Sequence, residues 1–134
     1  MADLDQANVH PAYLCGRLLA VLDRIQGLAI KNANAGIIDK FYGSASSAPA
    51  SVFGTLMHGA QAHMGKLKRD MPGAHHRLEE QLEEIALPLK EFPKTLTLEE
   101  QGLFALGFYH QRAADRRMAR ERAEAKKNET GLEA

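Results

Sequence analysis

A chain of 134 residues has room for one domain with a modest core and not for two. Seventeen lysines and arginines balance seventeen aspartates and glutamates, so no global field draws the protein to nucleic acid or a membrane, and anion binding must come from local patches. A single cysteine, Cys15, excludes an internal disulfide and suits a reducing cytosol.

Apolar residues recur at helical spacing along most of the chain, with no sustained alternation of period two. The first helix is expected to start near His10-Pro11, with proline in its opening turn. Leu14, Leu18, Leu22, Ile25 and Ala29 form its apolar face. A break at "NANAG" precedes a short apolar segment, Ile37 to Tyr42. The small-residue stretch "YGSASSAPASVF" reads as a connector, and Pro49 marks the entry to a second long helix ending near Asp70.

After "MPG" a third helix is expected from Ala74 to about Phe92, with Leu78, Leu82, Ile85 and Leu89 aligned and Pro88 ending or kinking it. Thr97 and Glu100 have the spacing of a capping box for the last helix. From Leu98 to Tyr109 that helix is apolar nearly all round, which predicts enclosure by its neighbours. Beyond Tyr109 it turns rich in arginine and must project from the core. The expected fold is all-α: a compact antiparallel bundle of four main helices plus a short helix. Residues 1–112 form the bundle domain, and residues 113–134 continue the last helix as a charged tail that frays beyond about Arg122.

No enzyme constellation appears in the sequence: there is no HExxH, CxxC, glycine-rich phosphate loop or GxSxG. His58 and His63 are five apart, a poor spacing for two ligands on one helical face, and His75 and His76 diverge. The expectation is therefore no catalytic residue, no metal and no cofactor. Glu79, Glu80, Glu83 and Glu84 lie opposite the apolar face of their helix, which fits a solvated or partner-facing surface better than acid–base chemistry. The amino terminus lacks the basic-then-apolar order of a signal peptide. No apolar run approaches the roughly 18–20 residues of a membrane span, so a cytoplasmic protein without membrane contact is expected.

The basic residues are more informative. Arg17, Arg24 and Lys31 recur every seven positions on one side of the first helix. None has an acidic residue three or four positions away to neutralise it. Tyr13, Ala20 and Gly27 share that side. Lys66, Lys68 and Arg69 close the second long helix, where the helix dipole alone also favours cations. In the last helix Arg116 and Arg122 lack an acidic partner at four-residue spacing, whereas Arg112 has Asp115 in reach. Spacing alone leaves these rows open between solvated faces and phosphate contacts.

Three stretches add a resemblance. "NVHPAYLCGRLLAVLDRIQ", "FYGSASSAPASVFGTLMHGAQAHMGKL" and "FPKTLTLEEQGLFALGFYHQR" together resemble the C-terminal region of the large subunit of the subtype I-C CRISPR surveillance complex, Cascade. In that family the same region is also made as a separate small subunit from an internal translation start, and a chain that starts at Met1 just before the motif looks like that free subunit. The tail after Arg112 is not part of the resemblance.

The resemblance implies a helical scaffold rather than an enzyme. Its partners would be the backbone and large subunits, further copies of itself, the CRISPR RNA–target DNA heteroduplex and the displaced single strand. In such complexes base pairing reads sequence while protein contacts to the backbone stabilise the open state. Arg17, Arg24, Lys31, Lys66, Lys68, Arg69, Arg112 and Arg116 are the candidate phosphate contacts. The rival reading is a purely structural adaptor whose charged faces bind protein and never nucleic acid.

Overall fold

A computed structural model describes residues 4–30 and 36–133, with side chains through residue 129. Five helices and no strands make up the described residues: α1 Pro11–Ala29, α2 Ile37–Ser47, α3 Pro49–Asp70, α4 Pro72–Ala86 and α5 Leu98–Glu133. The fold is all-α, as the helical periodicity implies.

Local chemistry sets the boundaries. His10 caps α1, its Nδ1 accepting from the Ala12 amide at 3.1 Å, with Pro11 in the opening turn. Pro49 and Pro72 open α3 and α4 in the same way. The capping box of α5 forms in full. Glu100 donates its amide to Thr97 Oγ1 at 3.1 Å, and Thr97 returns its amide to Glu100 Oε1 at 2.9 Å. Helix α4 stops at Ala86 rather than near Phe92, because Pro88 has no amide hydrogen to carry the ladder onward.

One expected connector is a helix instead. Residues 43–47 of "YGSASSAPASVF" continue α2, and only Ala48 separates α2 from α3. The small side chains let α2 sit close to its neighbours, with Ala45 fully buried and Ser46 nearly so. Helix α5 continues through the charged segment after Arg112 to Glu133.

The chain runs up and down from one helix to the next. Gln26 near the end of α1 accepts the amide of Ile37 at the start of α2. Backbone bonds from Ala50 to Pro93 and from Leu96 to Ser47 bring the start of α3 beside the approach to α5. Consecutive helices are therefore antiparallel, while α1 and α5 run parallel: His10 lies near Glu100, Tyr13 near His110 and Arg17 near Gln111.

The central helix is α1, not α5. Every residue from Ala12 to Leu22 is buried, and α1 touches all four other helices. This corrects the expected enclosure of α5. Phe104 and Phe108 are buried, but Leu98 is 86% exposed, and Leu106 and Tyr109 are each about half exposed. An all-round apolar wheel shows that a helix could be enclosed; burial depends on whether the neighbours cover every side. Phe108→Ala should cost about 3–5 kcal/mol, since its ring packs edge-on against Tyr42 inside the core. A urea melt reads this directly, and an unchanged midpoint would place that ring outside the core.

Candidate nucleic-acid interface

The eight candidate cations separate into distinct environments. Arg17 is only 2% exposed. Its Nε donates to Gln111 Oε1 at 2.8 Å and its terminal nitrogen reaches Glu84 Oε1 at 3.3 Å. Gln111 and Gln81 then both donate to Asp115 Oδ1, at 2.9 and 2.8 Å. A polar chain thus ties α1, α5 and α4 together. Tyr13, expected beside Arg17 on an open surface, is also buried: its hydroxyl accepts from the Asp5 amide and bonds His110 Nδ1, both at 3.0 Å. The expectation that Arg17 is an uncompensated surface cation is therefore corrected. Its partners come from helices 67 and 94 residues away in sequence, where four-residue spacing cannot find them.

Lys66 also has a structural partner. Its ammonium donates to the Ala29 carbonyl at 2.7 Å, satisfying a group at the end of α1 that no amide of its own helix can reach. Lys31 lies outside the described residues. Lys68 and Arg69 are exposed in the last turn of α3, where the helix dipole favours them. On the same helix Gly54, His58 and Gln61 are exposed, and a side chain added at Gly54 or Gly65 would meet nothing within 4 Å.

Arg112 is half-buried, its guanidinium 5.6 Å from the centre of the Phe108 ring. It also lies near Asp23. Burial raises the Asp23 carboxyl above its usual range, an effect that Arg112 and the Ile38 amide partly oppose. Asp115, the acid in reach of Arg112 by spacing, is held by the two glutamines instead.

Arg24 and Arg116, with Arg120, line a shallow groove floored by Ala113 and Ala119. Among the described residues these three arginines form no hydrogen bond or ion pair. A small floor flanked by unpaired guanidiniums lets a phosphate backbone approach closely. Arg24, from α1, and Arg116, from α5, are the two candidates that the fold brings together. Glu79, Glu80, Glu83 and Glu84 of α4 are all exposed, with His75 and His76 facing Glu79 and Glu80 at 3.7 and 3.0 Å.

Sequence spacing missed Arg77. Glu80 stands three positions beyond it, so the residue reads as a routine helical pair. In the fold it faces Arg122 and Arg24 instead. Cys15 lies at the core, and burial pushes its thiol up to about 12, so it stays protonated and unreactive. No group of three or more metal-ligating side chains occurs among the described residues, and no described helix is long and apolar enough to cross a membrane.

A comparison with curated proteins finds no match. The family described as CRISPR-associated protein (Cas_Csd1) matches residues 1–115, which cover α1 to α4 and the packed half of α5. The chain belongs to this family of CRISPR-associated proteins.

Proposed function

We propose that the protein is a non-catalytic small subunit of a type I-C CRISPR RNA-guided surveillance complex, packing along the backbone subunits and stabilising the R-loop through contacts to target and displaced DNA strands. Family membership supports action within a CRISPR complex. The observation that carries the nucleic-acid part is the groove of Arg24, Arg116 and Arg120, cations that the fold itself leaves unpaired. Lys68, Arg69 and Arg112 extend the reading to neighbouring faces. Arg17 is a buried bundle residue and is not included; Lys66 is exposed and stays a candidate, although its ammonium already bonds the Ala29 carbonyl.

Replacing Arg116 and Arg120 with glutamate should weaken DNA binding by the assembled complex. The slope of log affinity against log salt should flatten by about 0.7–0.9 for each phosphate that is no longer neutralised. Full assembly with unchanged DNA binding would remove this groove from the interface.

The exposed Leu98, Leu106 and Tyr109 on α5, with the acidic face of α4, favour protein docking as well. They support the second reading, a purely structural adaptor within the complex. Photo-crosslinking a labelled displaced strand in the assembled particle sorts the two, because an adaptor yields no adduct on this chain.

A further inference from the structure

We propose that the groove between α1, α4 and α5 is a phosphate-binding site, in which Arg24, Arg77 and Arg122 hold one phosphate group between three helices. This goes beyond the reading above and does not need it, because the site stands on the geometry of the isolated chain.

The groove encloses about 430 Å³. Its three arginines come from different helices: Arg24 from α1, Arg77 from α4 and Arg122 from α5. Among the described residues none of the three forms a hydrogen bond or an ion pair. They do sense one another. The Arg77 guanidinium is harder to keep protonated than usual, first because the groove partly shields it from water, then because Arg122 and Arg24 repel it. Three arginines that converge on one groove, none with a direct ion partner, make a place for an anion.

The acids on the same groove are engaged elsewhere. Glu84 faces Arg17 at 3.3 Å, Glu80 faces His76 at 3.0 Å, and Asp115 accepts from Gln81 and Gln111. These carboxylates are the groove's counter-charges, and none of them forms an ion pair with Arg24, Arg77 or Arg122.

Phosphate suits these three arginines better than carboxylate. A carboxylate offers two coplanar oxygens, enough for one or two guanidinium forks. A tetrahedral phosphate offers oxygens in several directions and can satisfy forks arriving from three helices. Leu28, Met71 and Met118 provide an apolar, adaptable wall for the organic part of a phosphate ester.

The site also has a mechanical meaning. No described Cα atom of α4 lies within 8 Å of one in α5; the Gln81–Asp115 hydrogen bond links the two helices. A phosphate shared by Arg77 and Arg122 would be a second link, nearer the projecting end of α5.

Thermal melting of the full chain tests this with three probes: inorganic pyrophosphate, a single-stranded oligothymidylate and a hexaglutamate peptide. Pyrophosphate and the oligonucleotide should both raise the melting temperature, and hexaglutamate should not. Arg77→Gln and Arg122→Gln should each weaken pyrophosphate binding about tenfold, the loss of one charge-assisted hydrogen bond. Each should also raise the melting temperature of the unliganded chain by about 1–3 °C through relief of repulsion. Lys94→Gln, outside the groove, should change neither.

Stabilisation by the oligonucleotide at lower phosphate concentration than by pyrophosphate identifies a nucleic-acid strand as the source. The reverse order identifies a free polyphosphate. Equal stabilisation by hexaglutamate, or arginine variants that keep full pyrophosphate stabilisation, would overturn the proposal. Neither failure touches the crosslinking test of the R-loop reading, which concerns the assembled particle and the Arg24–Arg116–Arg120 groove.

Discussion

Gly16→Ala is expected to cost about 3 kcal/mol, the upper end of the usual range for overpacking. Gly16 of α1 and Gly107 of α5 sit where the two parallel helices meet. A methyl added at Gly16 would overlap the Phe104 carbonyl oxygen and come within 2.8 Å of the Phe108 nitrogen. One added at Gly107 would overlap the Tyr13 carbonyl. The obstacles are backbone atoms, which cannot swing aside like the end of a flexible side chain, so the helices must separate. That separation loosens the packing of Phe104 and Phe108 at the same interface. Alanine normally gains roughly 1 kcal/mol over glycine inside a helix, so a net loss here reports the clash.

Gly27 and Gly102 provide the contrast. Both are exposed helical glycines with nothing within 4 Å of an added side chain. Alanine at either should stabilise by about 0.5–1 kcal/mol. Chemical denaturation of the four variants should therefore give opposite signs at the two pairs. Four shifts of one sign would mean that close approach does not define the α1–α5 interface.

Arg17→Ala should destabilise by about 3–5 kcal/mol, the usual cost of truncating a large buried side chain to alanine. It empties the volume of a long side chain that is only 2% exposed and leaves Gln111 without its donor. Glu84→Ala should cost much less, because the Glu84 side chain is 44% exposed and water can take its place. Arg17→Met keeps most of the volume and should fall between the two. The melting order Glu84→Ala, Arg17→Met, Arg17→Ala would establish an architectural role. A fully stable Arg17→Ala variant that loses DNA binding in the complex would return Arg17 to the interface.

Helix positions were legible because their signals are local. Proline at the openings of α1 and α3, the Thr97–Glu100 box and the breaks before Ile37 and Pro72 act within a few residues. What could not be read is which helix the others surround. Both α1 and the start of α5 are apolar enough to be central, and the choice depends on which of them the other helices cover. Gly16 and Gly107 lie 91 positions apart in the sequence, so their meeting leaves no periodic trace.

The same reason explains the candidate site. Arg17 and Arg24 look equivalent seven residues apart, yet Arg17 meets Gln111 and Glu84 while Arg24 meets other cations. Arg122 could be singled out by its lack of a spaced acidic partner; Arg77 could not, because Glu80 supplies an apparent one. Local spacing reports only pairs on one helix, whereas this protein answers its charges across helices.

The length of α5 turns the glycine crossing into a fulcrum. From Gly107 to Glu133 the helix rises about 39 Å at 1.5 Å per residue. A swing of about 10° at that point would carry its far end some 7 Å on that geometry, roughly the separation of successive phosphates along an extended strand. Two missing methyl groups deep inside the molecule thereby set where its outermost charges fall.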